Sequence, residues 1–239
     1  MLPPAGYRIR PSRPLDLDAV GGLYVSCFAH DAIVDLLFPT HRDCPRDFRV
    51  HMYRHYQRRL WTPGWVLTVL VDEARGGLPV GFAWWRRPEG DLTLAERWFT
   101  SYAWLAPLKR LYVSFKDCLW PTAVLATNAS ILGRILATVE LQLLEVSPPR
   151  HLAAAWFLSS FAVLPELQGR GLGAALLCHG LRRVDRNSAP SWLVGIGGVD
   201  YFYARHGFVE VARANVEELA GWEGGTVMFR HSKSHVSPA

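Results

Sequence analysis

Apolar side chains in the first sixty positions of the chain follow two different periods. Residues 7–10 alternate between apolar and polar side chains, which predicts a short first strand. Over 17–28, apolar residues return every three or four positions, which predicts a helix, and Pro39 ends this region. A second helical pattern, dense in arginine, histidine and tyrosine, covers 46–60.

Glycine and proline residues divide the rest of the pattern into further elements. The apolar runs 64–71 and 79–85 flank a glycine pair, which predicts a β-hairpin. Residues 92–147 return to a helical period with prolines as breaks, which predicts an insertion of two or three helices. The uncharged stretch 151–163, rich in aromatic and β-branched residues, predicts a buried strand.

The segment after this strand carries the most specific chemical signal. It reads Leu-Pro-Glu-Leu and then Gln168-Gly-Arg-Gly-Leu-Gly-Ala174, where a helix is predicted to begin. Glycines let a ligand approach the backbone closely, and the N–H groups of a first helical turn have no partner within the helix. Because the helix dipole also favours negative charge there, the loop predicts a site for phosphate or pyrophosphate, with Arg170 as an added cation.

Three other interpretations of this glycine-rich loop each predict different neighbouring residues. A nucleotide P-loop would end in Gly-Lys-Ser or Gly-Lys-Thr, and that ending is absent from the sequence. A dinucleotide fingerprint would need an acidic residue at the next strand, predicted over 192–196, which has none. A turn that only packs a helix against a strand would also use glycines, but such packing does not require Gln168 and Arg170 as well.

Two motifs resemble those of one enzyme superfamily. Gln-Gly-x-Gly-x-Gly after a strand and Val-Leu-Pro-Glu resembles the pyrophosphate-binding motif of the GCN5-related N-acetyltransferase (GNAT) superfamily. Further on, Tyr203, Gly207 and Phe208 resemble the family's Tyr-x-x-x-Gly-Phe segment, in which a short helix stops at a glycine. The resemblance covers 156 to about 229. Residues 92–147 match nothing in the core pattern and look like the helical insertions of fungal GNAT-type enzymes.

The resemblance implies an α/β (α+β) fold, with a central, mixed, mostly antiparallel sheet flanked by helices and an extra helical insertion. It implies a single domain over 1–239 whose acetyl-CoA-binding core spans 152–229. Members of the family pass an acetyl group from acetyl-CoA directly to an amine or a hydroxyl, so acetyl-CoA is the implied co-substrate. The residues implied to bind it lie in the glycine loop and on the edge of the preceding strand: Phe161, Ala162, Val163, Gln168, Gly169, Arg170, Gly171, Leu172, Gly173 and Ala174.

Catalysis in such an enzyme needs a general acid and a general base. By family position the acid for the departing thiolate is Tyr203, with Tyr201 as the fallback, and a packing role for Tyr203 stays open. An asparagine that the family often has upstream of this tyrosine is missing, because Ile-Gly-Gly stands in that region. The candidates for the base also fit surface or capping roles: His30, Asp31 and His151.

The acceptor is expected in a cleft that the first helices wall off. The predicted wall is formed by 28–39 and by six aromatic residues of the insertion: Trp98, Phe99, Tyr102, Trp104, Tyr112 and Trp120. An apolar wall favours a small hydrophobic acceptor over a lysine-rich protein tail, although these aromatics equally fit packing among the extra helices. We therefore expect an acetyl-CoA-dependent acyltransferase acting on a small molecule. The alternative is a GNAT-fold protein that binds a CoA ester without transfer, or that rearranges or cyclises a metabolite without a cofactor.

Composition and charge restrict the class of protein and the kinds of partner to be expected. Half of the 239 residues are hydrophobic and 20% are charged, which excludes a disordered chain or a long coiled coil. The net charge of +5 suits an anionic ligand, but the basic residues form no run longer than a pair, so no nucleic-acid partner is expected. Four isolated cysteines predict free thiols and no metal site. With no leader sequence or membrane span visible, we expect a cytoplasmic monomer or homodimer.

Overall fold

The computed structural model describes residues 2–124, 129–216 and 219–232. Its strands are β1 (Tyr7–Pro11), β2 (Trp65–Asp72), β3 (Leu78–Arg86), β4 (Trp156–Val163), β5 (Ser191–Gly195), β6 (Val209–Arg213) and β7 (Thr226–Arg230). Its α-helices are α1 (Leu17–Phe28), α2 (Ala32–Leu37), α3 (Pro45–Leu60), α4 (Leu94–Trp98), α5 (Ser101–Leu119), α6 (Ala129–Val146), α7 (Pro149–Ala153), α8 (Leu172–Arg186) and α9 (Asp200–Ala204).

All seven strands form one sheet in the order β1-β2-β3-β4-β5-β7-β6. Every neighbouring pair is antiparallel except β4 and β5, which run parallel. The mixed, mostly antiparallel sheet and its flanking helices confirm the predicted fold class. The β2–β3 hairpin turns at the glycine pair, also as predicted, with positive φ at both Gly76 and Gly77.

The parallel pair β4–β5 separates part of the way along its length. The two strands pair from Trp156, opposite Ser191, to Leu158, opposite Leu193, and no further. On its other edge β4 stays paired with β3 as far as Val163, opposite Gly81. Among the described residues, no strand lies beside the edge of β4 over 159–163 that faces away from β3, and the sheet opens at this point.

Helices cover both faces of the sheet. On one face, apolar residues of α8 such as Leu176 and Leu177 pack with Trp85 and Trp156 in the largest core cluster. On the other face, α1 and α3 bury a second cluster, in which Phe48 and other apolar residues of these helices lie against β2 and β3. A third cluster joins α6 to β5 and β7.

The region 92–147 folds as the predicted helical insertion, here α4, α5 and α6, although positions 125–128 lie outside the described residues. The prediction of a strand over 151–163 is wrong at its start, because β4 begins at Trp156 and α7 comes before it. Pro149 occupies the first position of α7, where proline loses no helical hydrogen bond and its fixed φ suits the turn. None of the described helices combines the length and the hydropathy that a membrane crossing requires.

Candidate active site

A cavity of about 1110 Å³ lies where β4 and β5 separate, and α1, α2 and α3 form its outer wall. Of the eleven residues predicted to bind acetyl-CoA or to act as the acid, nine line this cavity. They come from β4, the loop before α8, the first turn of α8, and α9: Phe161, Ala162, Val163, Gln168, Gly169, Gly171, Gly173, Ala174 and Tyr203. The structure thus brings two sequence motifs about thirty residues apart to one place.

The glycine loop has a backbone that only glycine adopts easily. Gly169 and Gly171 have φ values of +74° and +77°, and a Cβ on either would meet nothing within 4 Å. Gly171 is the N-cap of α8, and its carbonyl accepts the first helical hydrogen bond from Ala175 at 3.0 Å. The N–H groups of 172–174 therefore have no partner within the helix, which is the arrangement that binds anions at helix N-termini.

Two predicted residues point their side chains away from the cavity. Leu172 is buried in the core on the inner side of α8, so only its backbone N–H belongs to the loop surface. Arg170 is exposed, and one of its guanidinium nitrogens lies 3.4 Å from the carbonyl oxygen of Glu166.

Tyr203 lines the cavity and lies among aromatic rings. It is buried on α9, and its ring lies 6.4 Å from that of Phe161 and 5.9 Å from that of Phe208. Burial raises the pKa of its phenol above the ordinary value of 10, so the hydroxyl stays protonated at neutral pH. The fallback residue Tyr201 is 75% exposed and does not line the cavity.

The three candidates for the general base lie elsewhere. His30 and His151 are exposed, and neither lines the cavity. Asp31 caps α2, where its carboxylate accepts hydrogen bonds from the Ile33 N–H at 3.0 Å and from the Trp222 indole N–H at 2.9 Å. Both contacts are structural, and they explain why an acidic residue is found at this position.

The first helices line the cavity, as the prediction for the acceptor wall requires, but the aromatic residues of the insertion do not. Five residues of 28–39 line the cavity: Phe28, Ile33, Val34, Leu37 and Phe38. None of the six insertion aromatics does, and five of them are more than half exposed. Tyr102 instead stacks on Trp61, and its hydroxyl donates to the carbonyl of Leu60. The insertion does reach the cavity, but through Ile135 and Leu136 of α6.

Polar residues of α3 were not identified from the sequence, although they line the same cavity. They are His55, Tyr56 and Arg59. Burial, followed by the charge of Arg59, lowers the pKa of His55 to about 3, so this imidazole is neutral in the folded protein. The only available signal was the four-residue spacing of His55 and Arg59, which places both side chains on one face of the helix.

The lining of the cavity is apolar and positively charged. Its described residues include Arg59, Arg86 and Arg205 but no aspartate and no glutamate. Such a cavity suits anionic ligands, because the described charged side chains that line it are all cations.

Known structures share this architecture. No family model matches the sequence. A structure described as a histone acetyltransferase and related acetyltransferase, from Corynebacterium glutamicum, has a TM-score of 0.60 and 17% identity, covering 97% of this chain and 99% of its own. An acetyltransferase from Thermus thermophilus has a TM-score of 0.51 and 15% identity, covering 94% of this chain and 96% of its own. A GCN5-related N-acetyltransferase from Rhodopseudomonas palustris has a TM-score of 0.50 and 14% identity, covering 97% and 96%. The chain therefore has the fold of the GCN5-related N-acetyltransferases.

Proposed function

We propose that the protein is an acetyl-CoA-dependent acetyltransferase that acylates an amine or a hydroxyl of a small molecule. The observation that carries this proposal is the joint position of three features in one cavity. These features are the glycine loop at the start of α8, the unpaired edge of β4, and the buried Tyr203. A cavity used only for packing needs no anion-binding loop at one end and no protonated phenol beside it.

The residues present fit acetyl-CoA. The free N–H groups of 172–174 and the open space above Gly171 would receive the pyrophosphate. The backbone groups of β4 over 159–163 would pair with the pantetheine amides, as an added strand would. When bound, acetyl-CoA supplies an activated acetyl group as a thioester.

The residues of this chain would then complete the transfer. The acceptor nitrogen or oxygen forms the new bond to the acetyl carbon, and the carbon–sulfur bond breaks. Tyr203 would donate its phenolic proton to the leaving sulfur, because its raised pKa keeps that proton in place until the thiolate forms. The proton that the acceptor nitrogen or oxygen loses would pass through water and restore the phenol. Apolar residues of α1 and α2, such as Phe28 and Phe38, exclude water from this part of the cavity.

The charge of the cavity supports a small acceptor. A lysine-rich protein tail would need carboxylates to bind its positive charges, and the described lining has none. The acceptor would instead enter between the helices of the outer wall and the separated strands, where most of the lining is apolar.

Calorimetric titration with acetyl-CoA tests the proposal. We expect micromolar binding to the wild-type protein and a loss of at least about tenfold in Gly171→Glu, whose side chain places a negative charge at the anion site. Gly76→Glu is the matched control, because Gly76 also has a positive φ and open space around it but lies in the β2–β3 turn. No binding to the wild type, or equal losses in both variants, would refute the proposal. Binding without thiol release in the presence of mixed amines and alcohols would favour a CoA-ester-binding protein.

A further inference from the structure

Arg59 is a cation on the cavity wall that has no anionic partner in the part of the chain that the structure describes. Its guanidinium carbon lies 4.2 Å from the ring centre of Trp65 and 5.5 Å from that of Trp84. One terminal nitrogen, Nη1, is buried and has no hydrogen-bond partner. No carboxylate of the described residues forms an ion pair with this side chain, and the groups that favour its charged form are the phenols of Tyr56 and Tyr24.

Other arginines of α3 have carboxylate partners. Arg54 and Arg58 both form ion pairs with Asp117 of α5. Arg49 pairs with Asp18 on the surface at 2.7 Å. A buried cation without such a partner is costly unless a ligand completes its hydrogen bonds.

The position of Arg59 separates it from the phosphate loop. Trp65, on which Arg59 stacks, lies in the strand row of Arg86 and Phe157, at the start of β4. The glycine loop follows Val163 at the opposite end of that strand. Arg59 also lies over Trp84, which pairs with Ser160 in the middle of β4, so three to six residues of extended chain, or roughly 10–20 Å, separate it from Val163. Pyrophosphate bound by the loop therefore leaves Arg59 unpaired.

The part of the cavity beside Arg59 suits a molecule with one charged end. Arg86, in the same strand row, also lines the cavity and adds a second positive charge. His55, on the same face of α3, is neutral, so it offers hydrogen bonding without competing for an anion. Met52, Phe28 and Phe38 supply apolar surface next to these polar groups.

We propose that Arg59 binds a carboxylate of the acceptor, so that the acceptor is a small apolar molecule carrying a carboxylate as well as the acylated amine or hydroxyl. That the bound molecule is an acceptor rests on the proposed function. The presence of a carboxylate-binding site at Arg59 does not. The indole of Trp65 covers one face of the guanidinium, and the N–H groups in its plane remain to meet the two carboxylate oxygens. Tyr203, near Phe161 in the middle of the cavity, then lies between the two anion-binding ends.

A matched pair of probes tests this proposal: 3-phenylpropionate and its neutral analogue 3-phenylpropanamide. Binding of each is measured by ligand-observed NMR and tryptophan fluorescence, with the wild type and with Arg59→Met, Arg59→Lys and Arg49→Met. We expect the wild type to prefer the carboxylate by at least about tenfold. Arg59→Met should lose the preference, Arg59→Lys should keep part of it, and Arg49→Met should match the wild type.

Acetyl-CoA titration of the same proteins distinguishes the two proposals and reports folding. Arg59→Met should bind acetyl-CoA as the wild type does, because the glycine loop is unchanged. If the carboxylate preference is present and acetyl-CoA does not bind, the proposed function fails and the carboxylate site stands. If acetyl-CoA binds but the wild type does not discriminate between the probes, or binds neither, the assignment of Arg59 is overturned. Preference retained in Arg59→Met overturns it as well.

Discussion

The side-chain amide of Gln168 donates a hydrogen bond to the carbonyl of Val163 at 3.0 Å, and this contact fixes the glycine loop to the end of β4. Two proposed parts of the acetyl-CoA site are thereby held at a set distance from each other. The thiol of Cys27 on α1 approaches the same carbonyl at 3.6 Å, so the outer wall also meets the strand at this point. This hydrogen bond accounts for the glutamine that the motif contains in addition to its glycines.

We expect Gln168→Leu to weaken acetyl-CoA binding by about 3- to 10-fold with little change in stability. The variant removes one hydrogen bond, and such a bond contributes about 1 kcal/mol. The loss should appear in binding because Gln168 is exposed and orders the loop without supporting the core. Calorimetry measures it, with Gln57→Leu as the control, since Gln57 makes its hydrogen bond to Tyr53 within α3. Equal affinities for wild type and Gln168→Leu would contradict the assigned role.

Tyr203→Phe should lower kcat about 100-fold while leaving the KM for acetyl-CoA nearly unchanged. The substitution removes the proposed proton donor and preserves the ring that packs on Phe161 and Phe208. Since burial holds the pKa of Tyr203 above 10, the wild-type rate should show no alkaline loss from this group below that pH. Steady-state kinetics provide the check, and Tyr201→Phe, at an exposed position, should behave as the wild type. A Tyr203→Phe enzyme with full kcat would leave Tyr203 with a packing role only.

Local sequence signals predicted the parts of the site that a few adjacent residues determine. The glycine loop is such a part, because its conformation and its position at the start of α8 depend on Gly169 and Gly171 themselves. The turn that follows the short helix α9 is another, with a φ of +86° at Gly207. The conformation of each motif depends on its own residues, so the spacing of those residues along the chain was enough to predict it.

Features that depend on tertiary packing were not predictable in the same way. The aromatic residues of α4 and α5 have the composition of a cavity wall, yet Trp104 and Phe99 are 73% and 81% exposed. Nothing in the local pattern reveals which face of an inserted helix meets the body of the protein. The role of Arg59 was also not predictable from the local pattern. The packing of α3 on β2 and β3 turns Arg59 into the cavity, whereas the neighbouring Arg58 pairs with Asp117.

Gly180→Ala should destabilise the protein by about 1–3 kcal/mol, because a Cβ at this position of α8 would lie 2.7 Å from Cε2 of Trp85. The indole is buried in the core cluster that α8 and β3 share, so a shift of the ring would disturb that packing. Gly133→Ala in α6 is the matched control, since its Cβ would meet nothing within 4 Å. That variant should be neutral or more stable by up to about 1 kcal/mol, through helix propensity. Urea unfolding of both variants measures the difference, and equal effects would show that α8 can shift away from the sheet.

His55 should make the folded protein sensitive to acid. Its pKa is lowered to about 3 by burial and by Arg59, whereas in the unfolded chain it titrates near 6.5. The unfolded state therefore binds more protons between these values, so stability is complete above pH 6.5 and falls as the pH drops towards 3. The slope from this group is at most about 1.4 kcal/mol per pH unit. His51, whose pKa burial also lowers, adds to the effect, while Arg58 acts on His55 in the same direction as Arg59.

Urea unfolding at pH 7, 6 and 5 separates the contribution of His55. We expect His55→Gln to lose less stability over this range than the wild type, because glutamine has no proton to gain. His151→Gln, at an exposed position of α7, should follow the wild-type slope. A carboxylate ligand should also reduce the acid sensitivity if it binds beside Arg59, because its negative charge would oppose the effect of the guanidinium on His55. Identical slopes for wild type and His55→Gln would show that the imidazole is hydrated in the cavity and keeps an ordinary pKa.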